Sequence, residues 1–380
     1  MSKLDELLEG VQVEWENLGK LCQIKTGKGV TKKDSSVTGL YPIISGGKSP
    51  MGYIDKFNRN KNSITVSRVG ANAGFVNFIY RDYYLNDKCF SVIPNDLFTD
   101  KIEKKYLYYF LKSREESITN LQSEGGVPTI NTTKVSNISI PIPYPDNPEK
   151  SIEIQKEIVR ILDTFTELTT ELTTELTARK KQYEYYREQL LTFKKNEFES
   201  LGNLAENLDS KRKPIASGLR ESGDIPYYGA SGIVDYVKDY IFDGDFLLIS
   251  EDGANLTARK TPIAFSISGK NWVNNHAHVL KFDSYAERRF VEYYLNSIDL
   301  TPYISGAAQP KLNKRNLNSI KIPNASIEEK KRIVAVLDKF DTITTSISEG
   351  LPKEIELRKK QYEYYRNKLL TFPKATIETL

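Results

Sequence analysis

Histidine, cysteine, tryptophan and methionine are scarce here, with two of each in 380 residues. Cys22 and Cys89 leave no room for a disulfide framework and point to a reducing compartment. Two histidines give a general base or a zinc site few places to be. No stretch approaches the ~20 apolar residues of a membrane span. Met1 to Gly10 sets acidic residues among its leucines, unlike a signal peptide. A cytoplasmic chain without membrane attachment is therefore expected. Neither charge dominates, since 54 basic residues face 50 acidic ones. Charge alone does not announce a polyanion as partner, although a balanced total can conceal a basic face.

What the chain does contain is itself, twice. Arg179-Lys180-Lys181-Gln182-Tyr183-Glu184-Tyr185-Tyr186-Arg187, then Leu190-Leu191-Thr192-Phe193, returns as Arg358 to Arg366 and Leu369 to Phe372. So long a period excludes a solenoid and implies a whole domain plus a helix, repeated. Fainter matches keep the same order. Trp15-Glu16-Asn17-Leu18-Gly19 matches Phe198-Glu199-Ser200-Leu201-Gly202, and Gly70-Ala71-Asn72 matches Gly253-Ala254-Asn255. Asn86 and Asn274 fall in matching aromatic segments. Pro128-Thr129-Ile130-Asn131 matches Pro310-Lys311-Leu312-Asn313, each before an Ile-rich strand ending at Pro141 or Pro323. One scaffold carrying two sets of side chains suits a two-part target or a pair of identical partners.

Two long helical arms are expected. From Ile154 to Phe193, apolar residues step by fours and threes like a coiled-coil seam. Leu168, Leu172 and Leu176 take two fours in succession, inside a tandem Thr-Glu-Leu-Thr repeat. That is a stutter, which turns the seam without ending the helix, and each tetrad adds ~6 Å. The second arm, from Ile333 to Phe372, contains Gly350 and Pro352, which predict two pieces or a kink. Antiparallel packing would place each tyrosine-rich end beside a different globular domain.

The globular parts read as α+β. Short runs such as Ser63–Val69, Phe90–Pro94, Phe246–Ser250 and Pro262–Ser266 alternate with Gly, Asn and Pro, and ten or so small strands with long polar loops suggest a twisted or barrel-like sheet. One short helix per domain is expected, near Tyr106–Leu111 and Phe290–Leu295. The expected boundaries are residues 1–150 and 197–326 for the domains, with 151–196 and 327–380 as spacers.

On these features together, the chain resembles the specificity subunit of type I restriction–modification systems, from Trp15 to about Phe372. The resemblance implies two target-recognition domains, each reading half of a bipartite, asymmetric DNA sequence. It implies helices that set the half-site spacing and dock two methyltransferase subunits, with restriction subunits joining them. It also implies a subunit with no active site of its own, serving both modification and restriction. The residues agree on that last point. No Asp/Asn-Pro-Pro-aromatic tetrapeptide is present, Asn147-Pro148-Glu149 being the nearest, and no glycine-rich strand-to-helix turn offers an adenosyl site. No cofactor or metal is expected. Two other readings stay open: a coiled-coil scaffold without a DNA role, and a fused enzyme with an unrecognised site.

Candidate DNA contacts lie on strand-end loops. They are Lys48, Arg68 and Asn72 in the first half, and Lys211, Arg212, Lys213, Glu251, Asn255, Arg259, Lys311, Lys314 and Arg315 in the second. Arg pairs best with guanine, Asn with adenine, and Glu accepts from cytosine. Any of these charges is otherwise a solvated loop residue. Gly47-Lys48-Ser49 resembles the end of a phosphate-binding loop, but Pro42 stands where the first glycine is needed, so a surface turn is the reading. His276 and His278 are a strand pair or a DNA-contacting loop rather than metal ligands. Tyr183, Tyr186 and Arg187, with Tyr362, Tyr365 and Arg366, are candidates for partner docking or for core.

Overall fold

Turn formers every few residues divide each half into two small sheets and a two-stranded ribbon, not into one continuous sheet. The computed structural model describes residues 8–123, 126–194, 197–306 and 309–372. It separates into two units, Met1–Leu172 with Glu354–Leu380, and Thr173–Lys353.

The first unit contains β1 (Val13–Asn17), β2 (Cys22–Thr26), β3 (Tyr41–Ile44), β4 (Tyr53–Ile54), β5 (Ser63–Ser67), β6 (Val76–Ile79), β7 (Tyr84–Leu85), β8 (Cys89–Pro94) and β9 (Ser139–Pro143). An antiparallel sheet runs β2-β8-β5-β6, and a smaller one β4-β3-β7, with β3 and β7 parallel. β1 pairs with β9, Val13 opposite Pro143. Helix α1 (Lys104–Ser113) buries Tyr106, Leu107, Phe110 and Leu111 in one core with Ile64, Val66 and Val92 from the larger sheet. Helix α2 (Pro148–Leu190) then runs unbroken for 43 residues, ~65 Å of rise. It starts earlier than the hydrophobic seam suggested. Asn147 Oδ1 accepts the Lys150 N–H at 3.0 Å, and Pro148 needs no N–H partner at the first helical position. Asn147-Pro148-Glu149 is thus a helix start.

The second unit contains β10 (Phe198–Ser200), β11 (Glu206–Asn207), β12 (Ser222–Gly229), β13 (Gly232–Val237), β14 (Phe242–Asp243), β15 (Phe246–Ser250), β16 (Ala264–Ile267), β17 (Lys270–Val273), β18 (Ala277–Lys281) and β19 (Lys321–Pro323). Its sheets run β11-β18-β15-β16 and β13-β12-β17-β14, with β10 paired to β19. Strand for strand this is the first unit's order, extended by β14. Helix α3 (Tyr285–Ser297) takes the place of α1. Below the topology, the repeated motifs have the same physical jobs. A Cβ on Gly19 would lie 2.8 Å from Ser136 Cβ, and one on Gly202 would lie 3.0 Å from Asn318 Cβ, so the Leu-Gly pair admits a close-packed short helix in each half. Those helices, Thr132–Ser136 and Lys314–Ser319, are capped by Asn131 and Asn313. They exceed the one short helix per domain expected, because a single capped turn has too few residues to show periodicity.

The second arm is broken, as its Gly and Pro predicted. Helix α4 (Ile327–Thr345) is capped by Ser326 Oγ, and α5 (Gly350–Leu370) follows after four residues. Gly350 sits at φ +79°, and a Cβ there would fall 2.4 Å from the Thr342 carbonyl oxygen. Pro352 occupies the first turn of α5, where its missing N–H costs nothing. Within the first unit, Phe165 of α2 stacks on Tyr365 of α5 at 5.1 Å, while Leu369, Leu370 and Phe372 join the core around Ile154, Ile158 and Leu162. Within the second, Tyr186 of α2 stacks on Phe340 of α4 at 5.6 Å, and Leu191 shares a core with Ile333, Val334 and Leu337. The paired helices run antiparallel in both places. Leu168, Leu172 and Leu176 are half-buried. The threonine hydroxyls around them return to the preceding turn, Thr169 to the Phe165 carbonyl and Thr170 to that of Thr166, each at 2.8 Å. Among the described residues, no helix is long and apolar enough to cross a membrane.

Candidate nucleic-acid interface

The loops that follow β5 and β15 are built on one backbone plan. The Arg68 carbonyl accepts the Ile130 N–H at 2.8 Å, and the Glu251 carbonyl accepts the Leu312 N–H at 2.7 Å. Gly70 N–H donates to the Pro128 carbonyl, and Gly253 N–H to that of Pro310. Asn86 and Asn274, both buried, accept the N–H two residues on, from Lys88 and His276. Ile130 and Leu312 are fully buried plugs beneath these loops. Arg68 and Glu251 therefore occupy equivalent nodes with opposite charge.

In the first unit the three candidates come together. Asn72 Nδ2 donates to the Gly46 carbonyl at 3.2 Å, which ties the turn after β5 to the loop carrying Lys48. Lys48 is exposed, its ammonium 6.0 Å from the Phe75 ring centroid. Arg68 is half-buried over the Phe90 ring and donates to the Asp87 carbonyl at 3.2 Å. Its Nε is buried without a hydrogen-bond partner.

The second unit divides its candidates. Arg212 and Glu251 spend their charges on each other at 2.6 Å, inside a cluster with Asp209, His278 and Lys311. His278, 1 % exposed, bridges Asp209 Oδ2 and the Leu312 carbonyl, each at 2.6 Å. Burial pushes the Asp209 and Glu251 carboxyls up, but His278 and Arg212 outweigh it and hold both below their ordinary range. Arg259, at φ +50°, donates to the Leu295 and Ile298 carbonyls at the end of α3, and burial depresses its pKa. Asn255 closes its own loop through two hydrogen bonds to the Thr261 backbone. Lys211, Lys213, Lys311, Lys314 and Arg315 stay exposed, Lys311 while paired with Glu251. His276, next to β18, is exposed and meets Asp252 at 2.9 Å. Lys88, exposed at the matching position, is a cationic loop residue missed in the sequence. The signal was its fixed offset from the repeated Asn86 and Asn274.

The buried cluster has a measurable consequence. Arg212→Ala removes the cation shared by two low-exposure carboxylates and leaves them to His278 and Lys311, so an unfolding stability loss of about 3 kcal/mol is expected, read by denaturant titration of the full chain. Lys48→Ala, on the surface, should cost less than about 0.5 kcal/mol. Equal, small effects would show that the cluster contributes nothing net. Because the carboxyl pKa values are lowered on folding, their contribution is present above the unfolded carboxylate pKa of about 4 and is lost as pH falls through the folded values.

The repeated tyrosines are divided by helical phase. Tyr183 and Tyr186 face Phe340, at 6.1 and 5.6 Å, Tyr362 packs on the first unit's core, and Tyr365 stacks on Phe165. Arg187 and Arg366 lie over the rings of Tyr183 and Tyr362. The pair turned outward is Tyr185 and Tyr364, 60 and 61 % exposed, which lie inside the repeated segments but are not singled out by the sequence. Among the described residues, no group of three or more His, Cys, Asp or Glu side chains is placed to hold a metal ion.

Two copies of one loop-bearing module, each fastened to a long helix and carrying different charges at matched nodes, define a bivalent recognition protein. The model of the type I restriction modification DNA specificity domain matches residues 12–180 and again 194–357, and the chain belongs to that family. It is 35 % identical to the EcoR124I/EcoR124II specificity subunit of Escherichia coli, over 98 % of both chains. It is 33 % identical to the EcoprrI specificity subunit of the same organism, over 92 % of both. In fold it is similar to the crystal structure of the type I S subunit from M. genitalium, with a TM-score of 0.70 at 21 % identity, covering 99 % of this chain and all of that one.

Proposed function

We propose that this chain reads a bipartite, asymmetric DNA target, one half-site per globular domain, and has no active site of its own. The domains would be residues 1–150 and 197–326, and the helical spacers 151–196 and 327–380. The spacers set the distance between half-sites and dock two methyltransferase subunits, with restriction subunits joining the assembly in the cytoplasm. One observation carries the reading: the matched nodes where Arg68 and Glu251 sit on the same backbone plan with opposite charge. Unlike side chains on like scaffolds are what two different half-sites require. In the first domain Lys48, Arg68, Asn72 and Lys88 form the reading edge. In the second, exposed Lys211, Lys213, Lys314 and Arg315 track phosphates, while Arg212, Glu251, Asn255 and Arg259 shape the loops that present them. A salt titration of duplex binding by the assembled complex tests this. Phosphate neutralisation makes affinity fall by orders of magnitude between about 50 and 200 mM salt. Salt-insensitive or absent binding would favour a coiled-coil scaffold without a DNA role.

Tyr185 and Tyr364 present the same exposed ring on the two repeats, which supports two equivalent docking points. The double substitution Tyr185→Ala, Tyr364→Ala is expected to leave a folded chain that recruits no methyltransferase subunit. Each single substitution should leave one subunit bound, counted by native mass spectrometry. Retention of both subunits by the double variant would remove these tyrosines from the interface.

A further inference from the structure

Each recognition domain is fastened to the helix that follows it by the same side-chain joint. In the first unit Asp163 of α2 accepts hydrogen bonds from Tyr109 Oη at 2.6 Å and Lys105 Nζ at 2.7 Å, both from α1. In the second, Asp338 of α4 accepts from Tyr293 Oη at 2.7 Å and from Arg289 Nη2 at 2.9 Å, both from α3. Two residues after each aspartate stands a phenylalanine, Phe165 or Phe340, stacked by a tyrosine of the repeated Arg-Lys-Lys-Gln-Tyr segment. The second joint is the heavier, since Tyr285 Oη also donates to Asp338 at 2.7 Å and Arg289 reaches Asp341 at 3.2 Å. Burial raises the Tyr109 and Tyr293 phenol pKa values, and the facing aspartates raise them further, so both hydroxyls remain donors. Charge-assisted bonds at partly buried sites are directional, and two donors on one carboxylate fix the rotation of one helix against the other.

A hinge at this place would defeat a spacer of any length, because a domain free to tilt reaches half-sites at several distances. We propose that Asp163 and Asp338 are positioning residues that lock each domain to its helix and thereby restrict recognition to a single gap length. This rests on the reading of the helices as spacers.

The test uses the full chain in its modification complex, on duplexes whose half-sites are separated by every gap within a few base pairs of the natural one. Asp163→Asn and Asp338→Asn keep side-chain size and remove the charge. Tyr109→Phe is a milder variant that removes one donor. Lys105→Arg is the conservative control, since the second domain uses arginine at this place. Methylation at gaps one base pair from the natural length is expected to rise roughly tenfold relative to wild type in the Asn variants, more for Asp338→Asn, with both half-sites unchanged. Lys105→Arg should keep the wild-type profile. Loss of melting temperature with a single sharp gap retained in Asp163→Asn, Asp338→Asn and Tyr109→Phe would overturn the proposal and leave the joints as packing only. A variant lacking Thr170 to Thr173, run alongside, separates the two failures. If its gap shifts while the joint variants stay sharp, only the joint proposal falls, and if its gap is also unchanged the spacer reading falls with it.

Discussion

Exchanging residues 14–150 for the equivalent domain of another family member changes one half-site of the modified sequence and leaves the other untouched. The two halves share strand order, the buried plugs Ile130 and Leu312 and the asparagine-capped turns, while the side chains on their loops differ. The reading edge therefore travels with the domain. The exchange keeps α2 nearly whole, so the incoming domain must supply a tyrosine and a cation facing Asp163, as Tyr109 and Lys105 do. Sequence calling on DNA modified by the hybrid complex checks the outcome. A change in both half-sites at once would show that the domains do not read independently.

Deleting Thr170 to Thr173 keeps both half-site sequences and shortens the gap between them. The leucines at 168, 172 and 176 recur every four residues, and the threonine hydroxyls return to the preceding turn. Removing one tetrad joins equivalent positions and restores the alternating seam, so the helix survives. The ~6 Å of helix lost corresponds to one or two base pairs of duplex at ~3.4 Å each. Each base pair removed also rotates a half-site about the DNA axis, and twist in the DNA or bending of the helices absorbs that remainder. A complex that stays fully active at the old gap would sink the spacer reading. Altered half-site bases would sink the separation of spacing from reading.

Much of this architecture could be read from the residues. The repeat announced two modules of one topology, and Gly350 with Pro352 announced the break in the second arm. Pro128 to Asn131 and Pro310 to Asn313 were visible as a pair, though their jobs as plug and cap needed coordinates. The joints were less visible. Asp163 and Phe165, like Asp338 and Phe340, stand at the same offset in both arms, yet nothing in the seam pattern shows which helix faces them. Partners far apart in the chain explain the rest. Arg212 and Glu251 are 39 residues apart, and the pairing of β11 and β15 with opposite edges of β18 brings them to the same buried cluster. Arg259 reads as a free loop cation until α3 offers it two carbonyls. The tyrosines could have been sorted by phase, since Tyr183 and Tyr186 lie on the seam and Tyr185 does not. The division of each half into two sheets had no local signal, because alternation does not say which strands pair.

The most direct measurement is the methylation pattern of the host genome with and without this gene. The account predicts that one motif, made of two unlike half-sites separated by a fixed gap, is fully modified in the first case and unmodified in the second. An identical methylation pattern in the two genomes, or loss of a single continuous motif, would contradict it.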